Sequence, residues 1–373
     1  MLYILIFCFI VGLGLITYST NLYAKDRDKA KKRYIQAVCL VLILVSGLRN
    51  LGVGEDTYGY YLNYLEIQKT PWNELFDNFI NYYRSGEGKD VGYPIFVKAT
   101  QIIYDDFQFF LMFTAIFFYF ILGKFVNTNT KKLTDAIVAM TIFYVLFFYV
   151  FSITAIRQSL TLAATLYCYE LITKKKLLYF LIIVFFFSLI HKSILIFIPF
   201  YFLCRLKNTK FIFPLVLVLF PVIMIMRNSL TFFLIGIGGY QEYEETKGAG
   251  AFTFTAIFIF ISFIALIHRK GILSQNVTNI NYYNAFALAL LLLPLSWINP
   301  ALLRITMYFS IYMIVLIPEI LQSFQKLSIK IRRNLVVSSV LILFVLFFKA
   351  NYSRDNSGYR FFWESVKLGE NYA

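Results

Sequence analysis

Long apolar runs recur through the whole chain and constrain its fold more than any other feature. They lie at residues 2–20, 35–48, 107–126, 133–151, 155–173, 177–190, 193–204, 211–226, 251–267, 282–298, 302–321 and 334–348. Hydrophobic residues make up 60% of the 373 residues and charged residues 15%, which leaves too little polar surface for a soluble globule. Backbone groups in lipid must be satisfied within the segment, so these runs are expected to be helices. The sequence predicts an all-α polytopic membrane protein with about 12 transmembrane helices, one per run.

Three of the apolar segments need separate interpretation. The run at 2–20 lacks the basic start and cleavage signal of a secretory leader, so we interpret it as the first transmembrane helix. The runs at 177–190 and 193–204 are short, and they form either two full crossings or one re-entrant hairpin. The stretch Tyr93–Tyr104 is too short to span, and we place it in the outer interface.

Basic residues predict the orientation of the chain. Six short connections hold 21 of the 35 Lys and Arg residues, and we assign them to the cytoplasm: 21–34, 124–132, 174–176, 205–210, 268–281 and 326–333. This distribution, together with attraction to anionic lipid, accounts for the net charge of +15, so nucleic-acid binding is not needed as an explanation. Residues 1–349 are then one transmembrane domain. Its extracytoplasmic loops are 49–106, between helices 2 and 3, and the smaller 227–250, and residues 350–373 form an extracytoplasmic tail.

Cysteines and acidic motifs give no sign of a disulfide framework, a metal or another cofactor. The four cysteines lie in or beside apolar runs, far apart and without C-x-x-C spacing. The only D-x-D motif, at 26–28, stands among basic residues on the predicted cytoplasmic side. Neither Asp105–Asp106 nor the acidic residues between 242 and 245 have a neighbouring histidine or ligand spacing.

Four arginines are predicted at outer helix ends: Arg49, Arg157, Arg227 and Arg304. Each one taken alone is typical of an interfacial arginine whose head reaches water. Together they are harder to explain as anchors, because anchoring favours the cytoplasmic side. The planar guanidinium binds phosphate oxygens through two hydrogen bonds, so the group indicates a diphosphate site.

The first motif runs from Arg49 to Tyr64 and follows the second apolar run. Gly52 and Gly54 predict a helix break, after which Asp56 is well placed to cap a new helix. Asp56, Tyr60 and Tyr64 then recur at i, i+4 and i+8. They form either a capped surface helix with a tyrosine belt or a carboxylate beside a surface for stacking sugar rings.

Three further motifs lie at predicted outer helix ends. Arg157-Gln158-Ser159 opens one helix, and Asn299–Phe309 contains a proline start followed by Arg304. The segment Ser188–Ser193 contains His191, one of only two histidines. Histidine is a residue type suited to act as a general base, although a structural interfacial histidine is the alternative.

At these four places the sequence resembles the EpsG family of polysaccharide polymerases, which are functional analogues of the O-antigen polymerase Wzy. The residues that carry the resemblance are Arg49, Gly54, Asp56, Thr57 and Tyr60, then Arg157 and Gln158, His191 and Ser193, and finally Arg304, Tyr308, Phe309 and Pro318. The resemblance implies polymerisation of oligosaccharide repeats carried on undecaprenyl diphosphate, on the outer side of a bacterial cytoplasmic membrane. It also implies glycosyl transfer without a metal, because arginines can stabilise the diphosphate leaving group.

The resemblance also implies roles for single residues. Arg157 and Arg304 would bind the diphosphate, and Arg49 would bind either the diphosphate or Asp56. The general base would be His191 or Asp56. The residues expected to contact sugar are Tyr60, Tyr64 and Gln158.

The expected partners are the lipid-linked oligosaccharide and membrane lipids, with a chain-length regulator as a further candidate and no nucleic acid. A repeat-unit flippase is one alternative, although the sequence lacks the internal repeats typical of transporters. A membrane acyltransferase is the other, supported only by the single outer histidine.

Overall fold

A computed structural model describes residues 2–21, 26–86, 89–206, 211–238, 252–298, 300–324 and 358–365, with scattered positions between 328 and 345. The α-helices are α1 (Leu2–Thr20), α2 (Arg27–Gly47), α3 (Thr57–Lys69), α4 (Trp72–Ser85), α5 (Gly92–Ile103), α6 (Phe107–Asn129), α7 (Leu133–Leu146), α8 (Ile156–Thr173), α9 (Leu177–Ser188), α10 (Ile198–Leu203), α11 (Ile212–Gly238), α12 (Phe252–Ile267), α13 (Arg269–Gln275), α14 (Ile280–Leu292), α15 (Pro300–Ser310) and α16 (Met313–Ser323). The described residues contain no β-strand, only an isolated bridge between Arg49 and Phe361. The all-α prediction is confirmed.

Among the described residues, fewer helices are both long and apolar enough to cross a membrane than the twelve apolar runs predict. Three described helical segments are long and apolar enough, Leu2–Thr20, Phe107–Asn129 and Ile280–Trp297, and the pair α15 and α16, bent by 45°, makes a fourth if it forms one span. Other runs are interrupted, as where α7 gives way to a π-helical turn at Tyr149–Thr154. The run at 334–348 lies largely outside the described residues. The count of twelve therefore remains a prediction.

The described helices divide into two compact units. The first comprises Met1–Tyr167, Leu189–His191 and Arg333–Ala373, and the second comprises Cys168–Ser188 and Lys192–Arg332. The prediction of a single domain over 1–349 is not tested by this division.

The first unit is built around α2, which packs on α1, α6 and α7. Its core contains Val38 and Leu42 from α2 together with Leu111 and Leu122 from α6, all fully buried. Three shorter helices, α3 to α5, occupy the predicted outer loop 49–106, and α5 packs against α3, α4 and α6. The segment predicted at Tyr93–Tyr104 is thus α5, with Tyr93 and Val97 buried and Ile102 exposed.

The second unit is centred on α14, which packs on α11 and α15. Phe286 of α14 stacks on Phe258 of α12 at 4.3 Å between ring centroids. Helix α11 continues to Gly238, so the first twelve residues of the predicted loop 227–250 are helical, and its remainder lies outside the described residues. Residues 228–238 are mostly apolar and continue the helix after Arg227, and the extracytoplasmic placement of this segment stays a prediction.

The predicted pair at 177–190 and 193–204 forms α9, a 3₁₀ segment at Lys192–Phe197 and α10. Helix α9 has 12 residues, which at about 1.5 Å each reach only about 18 Å of a hydrocarbon core of roughly 30 Å. The length of these elements favours a re-entrant hairpin over two full crossings.

Candidate functional site

The loop that follows α2 is locked to the π-helical turn at Tyr149–Thr154. Gly54 has a φ of +95°, and a Cβ atom there would stand 2.5 Å from the carbonyl oxygen of Ile153, so only glycine fits. The Thr57 hydroxyl lies 2.7 Å from the Val53 carbonyl and 3.2 Å from that of Ile153. The predicted helix break is confirmed, and it serves to bring the backbones of two elements together.

Arg49 is buried in this loop, with 2% of its surface exposed. Its guanidinium donates to the carbonyl oxygens of Ser46 and Ser152, the latter at 3.2 Å, and to the Thr57 hydroxyl at 3.3 Å. Burial lowers the pKa of Arg49 to about 10, so the side chain remains charged at neutral pH. These hydrogen bonds connect the end of α2 to the π-helical turn. They do not test the predicted role of Arg49 in diphosphate binding.

Asp90 joins two of the predicted site residues. Its Oδ2 atom accepts from Arg157 Nη1 at 2.9 Å and lies 3.0 Å from His191 Nδ1. The Asp90 side chain is 1% exposed, whereas those of Arg157 and His191 are 25% and 16% exposed. A carboxylate buried to this degree is tolerated only beside cationic or hydrogen-bonding partners. The three side chains therefore act as one group, which we call the Asp90 cluster.

The backbone around Asp90 is shaped to bring these partners together. Asp90 has a φ of +52°, a left-handed conformation that aspartate adopts more readily than most residues. The Tyr93 amide donates to the Asp90 carbonyl at 2.9 Å, and the Gly92 amide donates to the Leu189 carbonyl at 2.9 Å. A Cβ atom on Gly92 would stand 2.5 Å from Cβ of Leu189, so glycine permits the start of α5 to touch the segment that carries His191.

Two tyrosine rings flank the guanidinium of Arg157. Its central carbon lies 5.8 Å from the ring centroid of Tyr60 and 5.5 Å from that of Tyr93. The two rings meet edge to face at 6.0 Å. Burial raises the pKa of the Tyr93 hydroxyl well above its ordinary value, so this ring stays neutral. Aromatic faces and one carboxylate oxygen thus fix the guanidinium plane, while a quarter of the side chain stays exposed to a ligand.

The other predicted residues of the first unit lie apart from these contacts or serve other ones. Asp56 occupies the N-cap position of α3, but its side chain makes no capping hydrogen bond, so that part of the prediction was wrong. Its backbone there is helical, with ψ of −7°, whereas a capping side chain usually needs an extended one. Tyr64 is buried, and its hydroxyl donates to Asp105 Oδ1 at 3.0 Å. Gln158 is 2% exposed, beside Arg157 in sequence. The proposed sugar contacts of Tyr64 and Gln158 remain predictions.

In the second unit the late arginine motif meets the serine of the histidine motif. The hydroxyls of Ser193 and Tyr308 lie 2.8 Å apart, and Phe309 stacks on Phe197 at 5.7 Å. Arg304 is half-buried on α15, one turn before Tyr308, and these two side chains therefore lie along one face of the helix.

Sequence reasoning missed Asp90 and Tyr93. The usable signal was the pattern Asp90-Val-Gly92-Tyr93 directly before a short apolar helix. A group of arginines on one side of a membrane also calls for an acidic counterpart, and Asp90 is that counterpart for Arg157. Asp105 and Asp106, discussed above only as metal ligands, bind Tyr64 and cap α6 through the Phe109 amide, respectively.

The predicted tail contributes a second unanticipated contact. The Phe362 amide donates to the Leu48 carbonyl and the Asn50 amide to the Arg360 carbonyl, both at 2.9 Å. The Asn50 side chain also donates to the Glu364 carbonyl at 2.7 Å. Residues 358–365, which we call the tail segment, are therefore attached to the loop that holds Arg49.

The model of the EpsG family matches residues 32–364 of the 373. No curated protein and no solved structure matches the chain. The matched range includes all four motifs, the Asp90 cluster and most of the tail segment.

Proposed function

The chain belongs to the EpsG family, and we propose that it polymerises oligosaccharide repeats carried on undecaprenyl diphosphate. The product would be a surface polysaccharide such as an O-antigen, a capsule or an exopolysaccharide. Family membership and the apolar helices make it a membrane protein with a polymerase role of the glycosyltransferase type. The chemistry of the carrier, the bacterial cytoplasmic membrane and the residue roles below are parts of the proposal.

The proposed reaction moves a growing glycan onto a fresh lipid-linked repeat. The acceptor hydroxyl loses its proton to a general base, and its oxygen bonds to the anomeric carbon of the growing glycan. The bond from that carbon to the diphosphate oxygen breaks, and the electron pair leaves with the lipid diphosphate. Cationic side chains stabilise the charge that develops on this leaving group.

One observation carries the assignment of residues, namely the pairing of Arg157 and His191 with Asp90. This pairing orients the Arg157 cation, which can bind the diphosphate. It also holds the His191 ring against a carboxylate, which is the arrangement that a general base needs. We therefore propose His191 as the base in preference to Asp56. Arg304 is proposed as a second diphosphate ligand, and Tyr60 as a sugar contact.

Purified protein in liposomes, given a single lipid-linked repeat unit, tests the proposal directly. We expect a ladder of polymer from the wild type and a loss of at least about a hundredfold in rate for H191A and for R157A. H268A and R84A are matched controls, because His268 packs on Phe324 at 4.1 Å between ring centroids and Arg84 is exposed near the end of α4. These two variants should polymerise normally.

Other outcomes would replace the proposal. Full polymerisation by H191A and R157A at normal protein levels would remove both residues from the mechanism. Cells that lack the protein should accumulate single lipid-linked repeats on the outer leaflet. Accumulation on the cytoplasmic leaflet would instead favour a flippase, and transfer of an acyl group in the purified system would favour an acyltransferase.

A further inference from the structure

The Asp90 carboxylate uses a single oxygen for two partners, since both Arg157 Nη1 and His191 Nδ1 lie within 3.0 Å of Oδ2. We infer that Asp90 is a positioning residue that couples the capture of a diphosphate by Arg157 to the basicity of His191. This inference rests on the proposed function, because it assigns a purpose to the link between the two proposed roles.

The contact with His191 fixes which ring nitrogen acts. A histidine that donates its Nδ1 proton to a carboxylate carries its basic lone pair on Nε2. The carboxylate also stabilises the protonated ring, and the Arg157 cation opposes that effect. The tyrosines Tyr60 and Tyr93 face the guanidinium, and Lys89 and Lys192 adjoin Asp90 and His191 in sequence. Asp90 contacts both Arg157 and His191 through Oδ2.

Binding of a diphosphate would shift the balance between the opposing effects of Asp90 and Arg157 on His191 in a defined direction. A diphosphate that draws the guanidinium toward itself weakens the Arg157 hydrogen bond to Oδ2. The negative charge of Asp90 is then less neutralised, so the affinity of His191 for a proton rises. The base would thereby become stronger when a donor substrate is in place and weaker when the site is empty. Unproductive attack by water would be suppressed in the same way.

The backbone conformation makes Asp90 suitable for a clean substitution. Asparagine tolerates the left-handed conformation at φ +52° as aspartate does, and D90N removes the charge while keeping the shape. Asp105→Asn is a matched control, because Asp105 binds Tyr64 and Gln68 outside the Asp90 cluster.

The test measures the pKa of His191 without any need for polymerisation. In an H268Q background His191 is the only histidine. The rate at which diethyl pyrocarbonate modifies purified protein, followed across pH, then reports its ionisation. We expect D90N to lower the pKa of His191 and R157Q to raise it, each by about one unit, and D105N to leave it unchanged.

The coupling itself is tested with farnesyl diphosphate as the probe and farnesol as the uncharged control. The diphosphate should raise the pKa of His191 in the wild-type site, and the rise should be smaller by at least half in D90N. Equal rises in both proteins, or no effect of D90N and R157Q, would overturn the inference. If D90N fails to fold, R157Q still decides the question, since a lowered or unchanged pKa contradicts the coupling.

The polymerisation assay separates this inference from the proposed function. D90N should lower kcat with little change in KM and move the acid limb of the pH profile toward lower pH. A normal pH profile and kcat for D90N in an active polymerase would refute the coupling alone. A wild-type protein that shows coupled titration but forms no polymer would refute the function and leave the coupling standing.

Discussion

Gly92 is the residue on which the geometry of the Asp90 cluster depends most directly. Its amide binds the Leu189 carbonyl at 2.9 Å, and an added methyl group would overlap the Leu189 side chain at 2.5 Å and the Leu189 carbonyl at 2.9 Å. We expect G92A to push α5 away from the segment that carries His191, at a cost of about 1–3 kcal/mol in stability. Polymerisation should fall about tenfold or more, because small displacements of catalytic groups are costly.

The control for this prediction is a glycine with open space around it. Gly12 of α1 has no atom within 4 Å of the position where a Cβ would stand. G12A should therefore retain activity and be neutral or slightly stabilising, since alanine favours helix more than glycine does. Thermal unfolding in detergent and the rate of polymer formation measure both variants. A fully active and equally stable G92A would show that the contact with Leu189 does not position the cluster.

Single residues also show what sequence could and could not predict. Spacing and residue type identified Arg157 and His191, and both contact Asp90. Asp90 itself was missed because its importance comes from a partner 101 positions further along the chain. Arg49 is the opposite case. Its residue type and its place in a motif predict ligand binding, whereas its buried guanidinium donates hydrogen bonds to backbone carbonyls. Burial and long-range pairing depend on the packing of the whole fold, which the pattern of a single sequence does not reveal.

At the scale of elements, the tail segment is predicted to support the first outer loop. Besides its contacts with Leu48 and Asn50, the Tyr359 hydroxyl donates to the Val45 carbonyl at 2.6 Å. Each such hydrogen bond contributes about 1 kcal/mol. Truncation after residue 357 should therefore lower the thermal midpoint by several degrees and reduce polymerisation. Truncation after residue 365, which keeps the segment, should do neither, and equal behaviour of the two truncations would contradict a supporting role.

Element boundaries were predictable where the sequence carries a strong local signal. Helices α1 and α6 match their apolar runs closely, because uninterrupted hydrophobicity leaves no competing structure. The runs at 133–151 and 302–321 each predict one helix, whereas the structure divides each of them into two elements. A hydropathy profile averages over a window of about one membrane span, so it does not detect a local change from α-helix to π-helix. The π-helical turn at Tyr149–Thr154 is fixed by contacts with Arg49 and Thr57, more than 90 positions earlier in the chain.

At the scale of the whole molecule, the orientation in the membrane is the prediction on which the proposed chemistry depends. The positive-inside rule puts the connection at 124–132 in the cytoplasm and the loop 49–106 outside. In a cysteine-free protein, Ser85→Cys and Lys131→Cys place one exposed thiol in each. A membrane-impermeant maleimide should label Ser85→Cys in intact cells and Lys131→Cys only after the membrane is opened. Because undecaprenyl-linked repeats are extended outside the cytoplasm in the proposed reaction, the opposite labelling pattern would place Asp90 on the wrong side for it. Equal labelling of both positions before the membrane is opened would indicate leaky cells. A cytoplasmic marker protein that remains unlabelled in the same cells excludes this explanation.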